Sequence, residues 1–186
     1  MVRVIAGKYK NRRLKTLEGT ATRPTSDRLK ETLFNVLQDR VPGAVFLDAF
    51  AGCGNIGIEA LSRGASWVAF VECSSKAESI IVKNLKQLND LSDSDYCLLG
   101  MTSGQALKRL SQFGRKFDIV FIDPPYAAQD EYPRIFQELQ ANHLLTKTTI
   151  VIAEHSRHHG LEPNLGGLAR YRQIHQGDSS LSFYQP

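Results

Sequence analysis

From residue 44 onward, short apolar runs alternate with stretches whose apolar residues recur every three to four positions, and no other feature constrains the fold as much. The runs lie at 44–50, 66–72, 96–99, 117–122 and 148–154. Between them the helical period holds at 56–63, 75–88, 103–112 and 132–142. Alternation of this kind predicts an α/β fold: a mostly parallel sheet with helices on both faces. Two last runs, 169–174 and 181–184, flank Gly177-Asp178 and predict an antiparallel hairpin. Ahead of the body, extended runs at 2–6 and 12–17 surround Gly7-Lys8-Tyr9-Lys10-Asn11 and predict a β-hairpin. Ser26 is placed to cap a helix ending near Gln38, with Leu29, Leu33, Phe34 and Leu37 on one face. Pro42-Gly43 breaks the chain there. The expected organisation is an N-terminal extension over 1–42 and one α/β domain over 43–186, within the size range of a single core.

Charge is unevenly placed. Residues 1–40 carry 10 Lys/Arg against 4 Asp/Glu, net +6, and the rest of the chain is net −2. Residues 1–15 hold Arg3, Lys8, Lys10, Arg12, Arg13 and Lys15 and no acid. A segment like this suits a polyanion, since each phosphate contact releases condensed counterions. A solvated face would look the same. Tyr9, among these cations, reads equally as a base-stacking ring or as a turn residue. No apolar run is long enough to cross a membrane and no secretory signal is visible, so a cytoplasmic protein is expected.

The first run of the α/β body ends in Asp48-Ala49-Phe50-Ala51-Gly52-Cys53-Gly54-Asn55-Ile56-Gly57. Its last six residues fit Gly-x-Gly-x-x-Gly at a strand-to-helix turn, where Gly52 and Gly54 let a ligand approach the backbone closely. Phe50 and Ala51 line the same turn. The motif alone serves nicotinamide and flavin dinucleotides as well as other adenosyl cofactors. The acid at the strand end discriminates. Asp48 would repel a pyrophosphate, but it would attract the ammonium or sulfonium of S-adenosylmethionine. Glu72, at the end of the second run, suits the hydroxyls of a ribose, a role common to both classes. The bland alternative is that both acids only cap their loops.

The fourth run ends in Asp123-Pro124-Pro125-Tyr126. The carboxyl ends of strands line the crevice of an open α/β sheet, so this tetrapeptide is expected to face it. Asp123 can accept a hydrogen bond from an amine. The prolines fix the backbone and remove its donors, which can leave the Pro124 carbonyl aimed at the same amine. Tyr126 offers a ring for a base to stack on, worth about 1–3 kcal/mol. Such groups suit methylation of an exocyclic base amine. Two acceptors on its hydrogens localise a lone pair that is otherwise delocalised into the ring, and positioning carries most of the barrier reduction. A plain Pro-Pro turn with an exposed aromatic is the alternative.

These residues resemble the amino-methyltransferases with an Asn/Asp-Pro-Pro-Tyr motif. Arg3-Val4-Ile5-Ala6-Gly7, the basic hairpin, and Arg23-Pro24-Thr25-Ser26-Asp27-Arg28-Leu29-Lys30-Glu31-Thr32-Leu33-Phe34-Asn35 narrow the likeness to the RsmD family, with Leu47 to Gly52, Gly57 to Ala60, Val71-Glu72 and Phe117 to Tyr126 in agreement. That family methylates the exocyclic N2 amine of one guanine (position 966) in bacterial 16S ribosomal RNA. The resemblance implies a Rossmann-like class I methyltransferase fold, a seven-stranded sheet with its last strand antiparallel. It implies S-adenosylmethionine as methyl donor, S-adenosylhomocysteine as product and no metal. Thr25 would lie near the methionine part and Met101 against the adenine. The hairpin, with Arg23 and Arg28, would grip RNA in the small subunit or its assembly intermediate. A monomer and no membrane are expected.

The resemblance has departures. Relatives often carry an acid near the adenine amine, where this chain reads Leu99-Gly100-Met101-Thr102-Ser103. Cys53 stands where Ser or Thr is commoner. The same catalytic groups would also serve an amine methyltransferase acting on DNA adenine or a protein glutamine. A nicotinamide-dependent oxidoreductase and a non-catalytic RNA-binding module are the rivals from other classes. His155, His158 and His159 read as a solvated loop rather than a metal site, and Trp67 as packing. Cys53, Cys73 and Cys97 are odd in number and read as reduced thiols in or near the core.

Overall fold

The computed structural model describes residues 2–17, 25–125 and 130–186. The N-terminal hairpin pairs β1 (Val2–Arg3) with β2 (Arg13–Leu14), Val2 opposite Leu14. Helix α1 (Asp27–Leu37) follows, and the Ser26 side chain accepts from the amide of Leu29, as the cap reading required. The body then runs β3 (Val45–Asp48), α2 (Asn55–Ser62), β4 (Trp67–Val71), α3 (Ser75–Leu85), β5 (Tyr96–Leu99), α4 (Ser103–Gln112), β6 (Phe117–Ile122), α5 (Glu131–Ala141) and β7 (Leu145–Ser156). It closes with β8 (Asn164–Leu165), β9 (Leu168–Gln176) and β10 (Ser179–Gln185).

The sheet order is β5-β4-β3-β6-β7-β10-β9-β8. Strands β3 to β7 are parallel, and β10 runs antiparallel to both β7 and β9, so the last long strand is reversed as expected. The count corrects the expected seven to eight. The two-residue β8 pairs with β9 at the edge, with Leu165 opposite Leu168. Nothing in so short a segment gives a period to read.

Side chains on a strand alternate between faces, and the two faces build two core layers. Phe46, Phe70, Ile119, Phe121, Ile150 and Ile152 pack with α1, α2 and α3. Leu47, Ala69, Val71, Val120, Ile122, Val151 and Ala153 pack with α4 and α5. Strand order reverses between β3 and β6, so the chain leaves in opposite directions from their carboxyl ends and opens a crevice there.

The hairpin is fastened to the body by buried polar groups. The Glu59 carboxylate on α2 accepts the amides of Ile5 and Ala6 at 2.8 and 3.0 Å. It also pairs with Lys30 at 3.2 Å and Arg63 at 2.8 Å. Lys30 is fully buried on the apolar stripe of α1, and its ammonium also donates to the Arg3 carbonyl and to Asn55. Asn84 on α3 bridges Lys15 to the carbonyl of Cys53. Tyr9 is buried in the first core layer, with its amide on Ser62. That corrects the reading of its ring as a platform for bases.

Candidate active site

The crevice begins at Asp48, the last residue of β3. It is buried, and its carboxylate accepts the amide of Gly57 at 2.9 Å. The acid therefore does hold the start of α2, the capping role that had stood as its bland alternative. Burial pushes its carboxyl up to about 7, against the pull of the Gly57 amide and with a further push from Glu72.

The turn that follows divides its work among glycines. Gly54 caps α2 at φ +83°, a left-handed conformation that a side chain resists. A Cβ on Gly57 would stand 2.2 Å from the Phe70 ring, so this glycine lets α2 lie directly on β4. Gly52 is different: nothing lies within 4 Å of where its Cβ would be. Open space thus stands before the turn. Phe50 is half-buried against the second core layer, and Ala51 is buried with its amide on Val71.

Glu72, just past β4, is half-buried. Its two oxygens accept the amides of Gly52 at 2.8 Å and Ser74 at 2.8 Å. It therefore ties the glycine turn to the end of β4, the loop-capping role that had stood as the alternative to a ribose contact. An ionised carboxylate has about four acceptor sites, so both amides leave room for ribose hydroxyls. Met101 is half-buried and packs on the second core layer just after β5.

Asp123 follows β6 directly and is half-buried at the crevice. Pro124 is buried and Pro125 exposed. Tyr126 lies outside the described residues, as does Arg23. Asp48 has the strand parity of Phe46 and so stands on the α1–α3 side of the sheet, and Asp123, one residue past β6, lies near enough to feel its charge. Their charges act on each other across the strand ends. Burial, then Glu154, then Asp48 hold the Asp123 carboxyl well above the usual carboxylate range. Thr25 is buried on the same side, and its hydroxyl donates to Glu154 at 2.9 Å.

Glu154 itself went unnoticed in the sequence. It is buried near the end of β7, and burial pushes its carboxyl up to about 7, opposed by the Thr25 and Ser179 hydroxyls. The signal was present: an acid at the carboxyl end of an apolar run, the pattern that singled out Asp48, Glu72 and Asp123. His155 next to it is not solvated. It is buried, bonded to Ser182 and to the carbonyls of Ser156 and His159. Among the described residues, no group of three His, Cys, Asp or Glu side chains is placed to hold a metal ion. The cysteines are all free, with Cys53 buried but Cys73 exposed rather than in the core.

On the arm, Arg3, Lys8, Lys10, Arg12, Arg13, Lys15 and, on α1, Arg28 are exposed. Arg3 pairs with Asp27 at 3.3 Å and Lys8 reaches Asp90 at 3.9 Å. Lys10, Arg12 and Arg13 line an open hollow with Tyr9, Asn11 and Gln87, and carry no ion pair among the described residues.

The family described as conserved hypothetical protein 95 matches residues 2–185. The chain belongs to that family, the RsmD family of the sequence likeness. It is 30% identical over 184 residues to the ribosomal RNA small subunit methyltransferase D of Escherichia coli K12, covering 99% of this chain and 89% of that one. The Haemophilus influenzae protein of the same name is 42% identical over 125 residues, 67% of this chain and 64% of its own. A solved hypothetical protein of Thermus thermophilus superposes with a TM-score of 0.84 at 26% identity, over all of both chains. The fold is that of S-adenosylmethionine-dependent methyltransferases, among them SMU.776 complexed with S-adenosylhomocysteine, at a TM-score of 0.63 and 14% identity, over 84% of this chain and 49% of that one. Among the described residues, no helix is long and apolar enough to cross a membrane.

Proposed function

We propose that this chain transfers a methyl group from S-adenosylmethionine to the exocyclic N2 amine of a guanine in 16S ribosomal RNA, within the small subunit or its assembly intermediate. One observation carries the reading: Asp48 and Asp123 face the same crevice, at the point where strand order reverses. The names of the relatives support the RNA class.

The residues fit the methyl donor. Acids at three strand ends ionise reluctantly beside one another, so a bound cation would favour their charged forms, whereas a dinucleotide pyrophosphate would be opposed by them. Gly52 leaves room beside the backbone. In this reading Asp48, Glu72, Phe50, Ala51, Gly52, Gly54 and Met101 surround the donor, and Thr25 closes it from the N-terminal side. When bound, S-adenosylmethionine supplies an electrophilic methyl on a sulfonium. Asp123 and the Pro124 carbonyl accept the hydrogens of the amine, and Tyr126 stacks on the base. The two acceptors turn the nitrogen lone pair toward the methyl, and a base from a paired stem would first be flipped out. Residues 1–42 act as RNA grip and cofactor cover, and residues 43–186 as the catalytic body, working as a cytoplasmic monomer.

The test is incubation with labelled S-adenosylmethionine and small subunits from a strain lacking the modification, followed by nucleoside analysis. The expected product is N2-methylguanosine; label on adenosine, on protein or nowhere overturns the assignment. The arm makes a second prediction. Replacing Lys10, Arg12 and Arg13 together with alanine is expected to reduce the slope of log affinity against log salt by roughly two. An unchanged slope would show that these cations do not meet phosphate.

A further inference from the structure

The functional reading uses Asp48 and Asp123 but leaves unexplained a third acid of the crevice, Glu154. Glu154 is 7% exposed. In the β6–β7 register Ile122 stands opposite Ala153, and Asp123 and Glu154 are the next residue of each chain, close enough for the Glu154 charge to act on Asp123. Glu154 shares the parity of Ile150 and Ile152 and turns to the α1–α3 side. The structure therefore brings two carboxyls together, that of Glu154 buried and that of Asp123 half-buried.

The groups facing this pair offer no positive charge among the described residues. From β3 comes Asp48, another acid. From β10 comes the Ser179 hydroxyl, and from the segment before α1 the Thr25 hydroxyl. Lys30 on α1 is committed to Glu59, Asn55 and the Arg3 carbonyl. His155, the next residue on β7, is engaged by Ser182 and two carbonyls. Two carboxyls packed this closely, with no cation facing them among the described residues, are costly to ionise together, so the pair takes up one proton more readily than an isolated carboxylate.

Resting on the methyl-transfer reading, we propose that Glu154 is a positioning residue whose carboxyl, held by the Thr25 hydroxyl beside Asp123, makes Asp123 the acceptor of the proton that the methylated amine must shed. The step balances. The amine lone pair forms the N–C bond as the S–C bond breaks and its electron pair stays on sulfur. The nitrogen is then cationic, and one N–H proton passes to an Asp123 oxygen, leaving a neutral secondary amine. An isolated aspartate is too weak a base to hold that proton near neutrality. Beside a second, ionised carboxyl Asp123 holds it, because taking up the proton relieves the repulsion between the two. Thr25 donates to Glu154 and not to Asp123, which leaves Asp123 free to face the substrate.

The experiment follows single-turnover methylation of small subunits by Glu154→Gln across the pH range. Glutamine keeps an acceptor for Thr25 and removes the like charge. The active form has Asp123 ionised, so the rate rises as pH passes its titration. Taking away the neighbouring charge is expected to move that acid limb to lower pH by about one unit. A second measurement is independent of how the variant folds. Carbon NMR of aspartate-labelled wild-type protein, with the Asp123 carboxyl assigned by Asp123→Asn, is expected to show it titrating in two steps. Failure of either reading is distinguishable. Absence of methylation by wild-type protein overturns the proposed function. Wild-type methylation with an unmoved limb in Glu154→Gln, or a single-step Asp123 titration at ordinary carboxylate pH, overturns the role given to Glu154.

Discussion

Asp123→Ala is expected to slow single-turnover methylation by about 10²–10³-fold while leaving S-adenosylmethionine binding within a few-fold of wild type. The magnitude follows from what the side chain does at the transition state. It holds one hydrogen of the amine while the nitrogen becomes tetrahedral, and takes a proton once the N–C bond exists. The separation from cofactor binding follows from position. The glycine turn is held by Asp48 and by Glu72, whose partners are the amides of Gly57, Gly52 and Ser74 and not Asp123. Asp123→Asn divides the two tasks, since the amide keeps a carbonyl acceptor but cannot take the proton. It is expected to retain more rate than the alanine variant and to lose the acid limb of the pH profile. Unfolding does not explain such losses. Removing one of three mutually repelling acids, here the half-buried Asp123, leaves thermal stability unchanged or raises it. Full methylation by Asp123→Ala would move the chemistry away from the end of β6.

Much of this site was legible because strand ends are legible. Apolar runs closed by Asp48, Glu72 and Asp123 needed only the rule that carboxyl ends of strands line the crevice, and Glu154 obeys the same rule. It escaped notice because no motif surrounds it, and because its burial depends on Thr25, which is 129 residues away in the chain. Local signals also carried the Ser26 cap and the final antiparallel hairpin, each written within a few residues. What failed was whatever depends on the partner across space. Tyr9 read equally as a base-stacking ring and as a turn residue, and only the fold decides, laying it in the turn and onto the core. His155 looked solvated beside two other histidines, yet β10 covers it with Ser182. Glu72 read either as a ribose contact or as a loop cap, and no pattern marks which backbone amides, those of Gly52 and Ser74, its oxygens hold. Lys30 presents the sharpest case. A cation on the apolar stripe of a helix looks like an error of patterning until Glu59 is placed against it.

That pairing leads to the largest effect expected on stability. Glu59→Ala should cost about 3–5 kcal/mol, the penalty for breaking a buried pair by removing one partner. The carboxylate neutralises Lys30, which is fully buried, and it accepts the amides of Ile5 and Ala6. Its loss strands one buried ammonium and two backbone donors at once. In a chain of this length each kcal/mol shifts the melting temperature by about 2–4 °C, so a fall of roughly 10 °C is expected by calorimetry. Lys30→Met is the informative companion. It leaves Glu59 its two amides and Arg63 as partners, so its cost should be smaller. Hydrogen exchange distinguishes loosening of the arm from general destabilisation. In Glu59→Ala the amides of Ile5 and Ala6 should lose protection well before those of β3 and β6, because the strand amides keep their partners. The consequence reaches function through Asn84, whose amide holds both Lys15 of the arm and the Cys53 carbonyl of the glycine turn. An arm that comes loose should therefore weaken RNA binding first and cofactor binding second. Equal stability of Glu59→Ala and wild type would mean that the hairpin is held by its apolar contacts, Val4 and Leu14, and not by this buried charge.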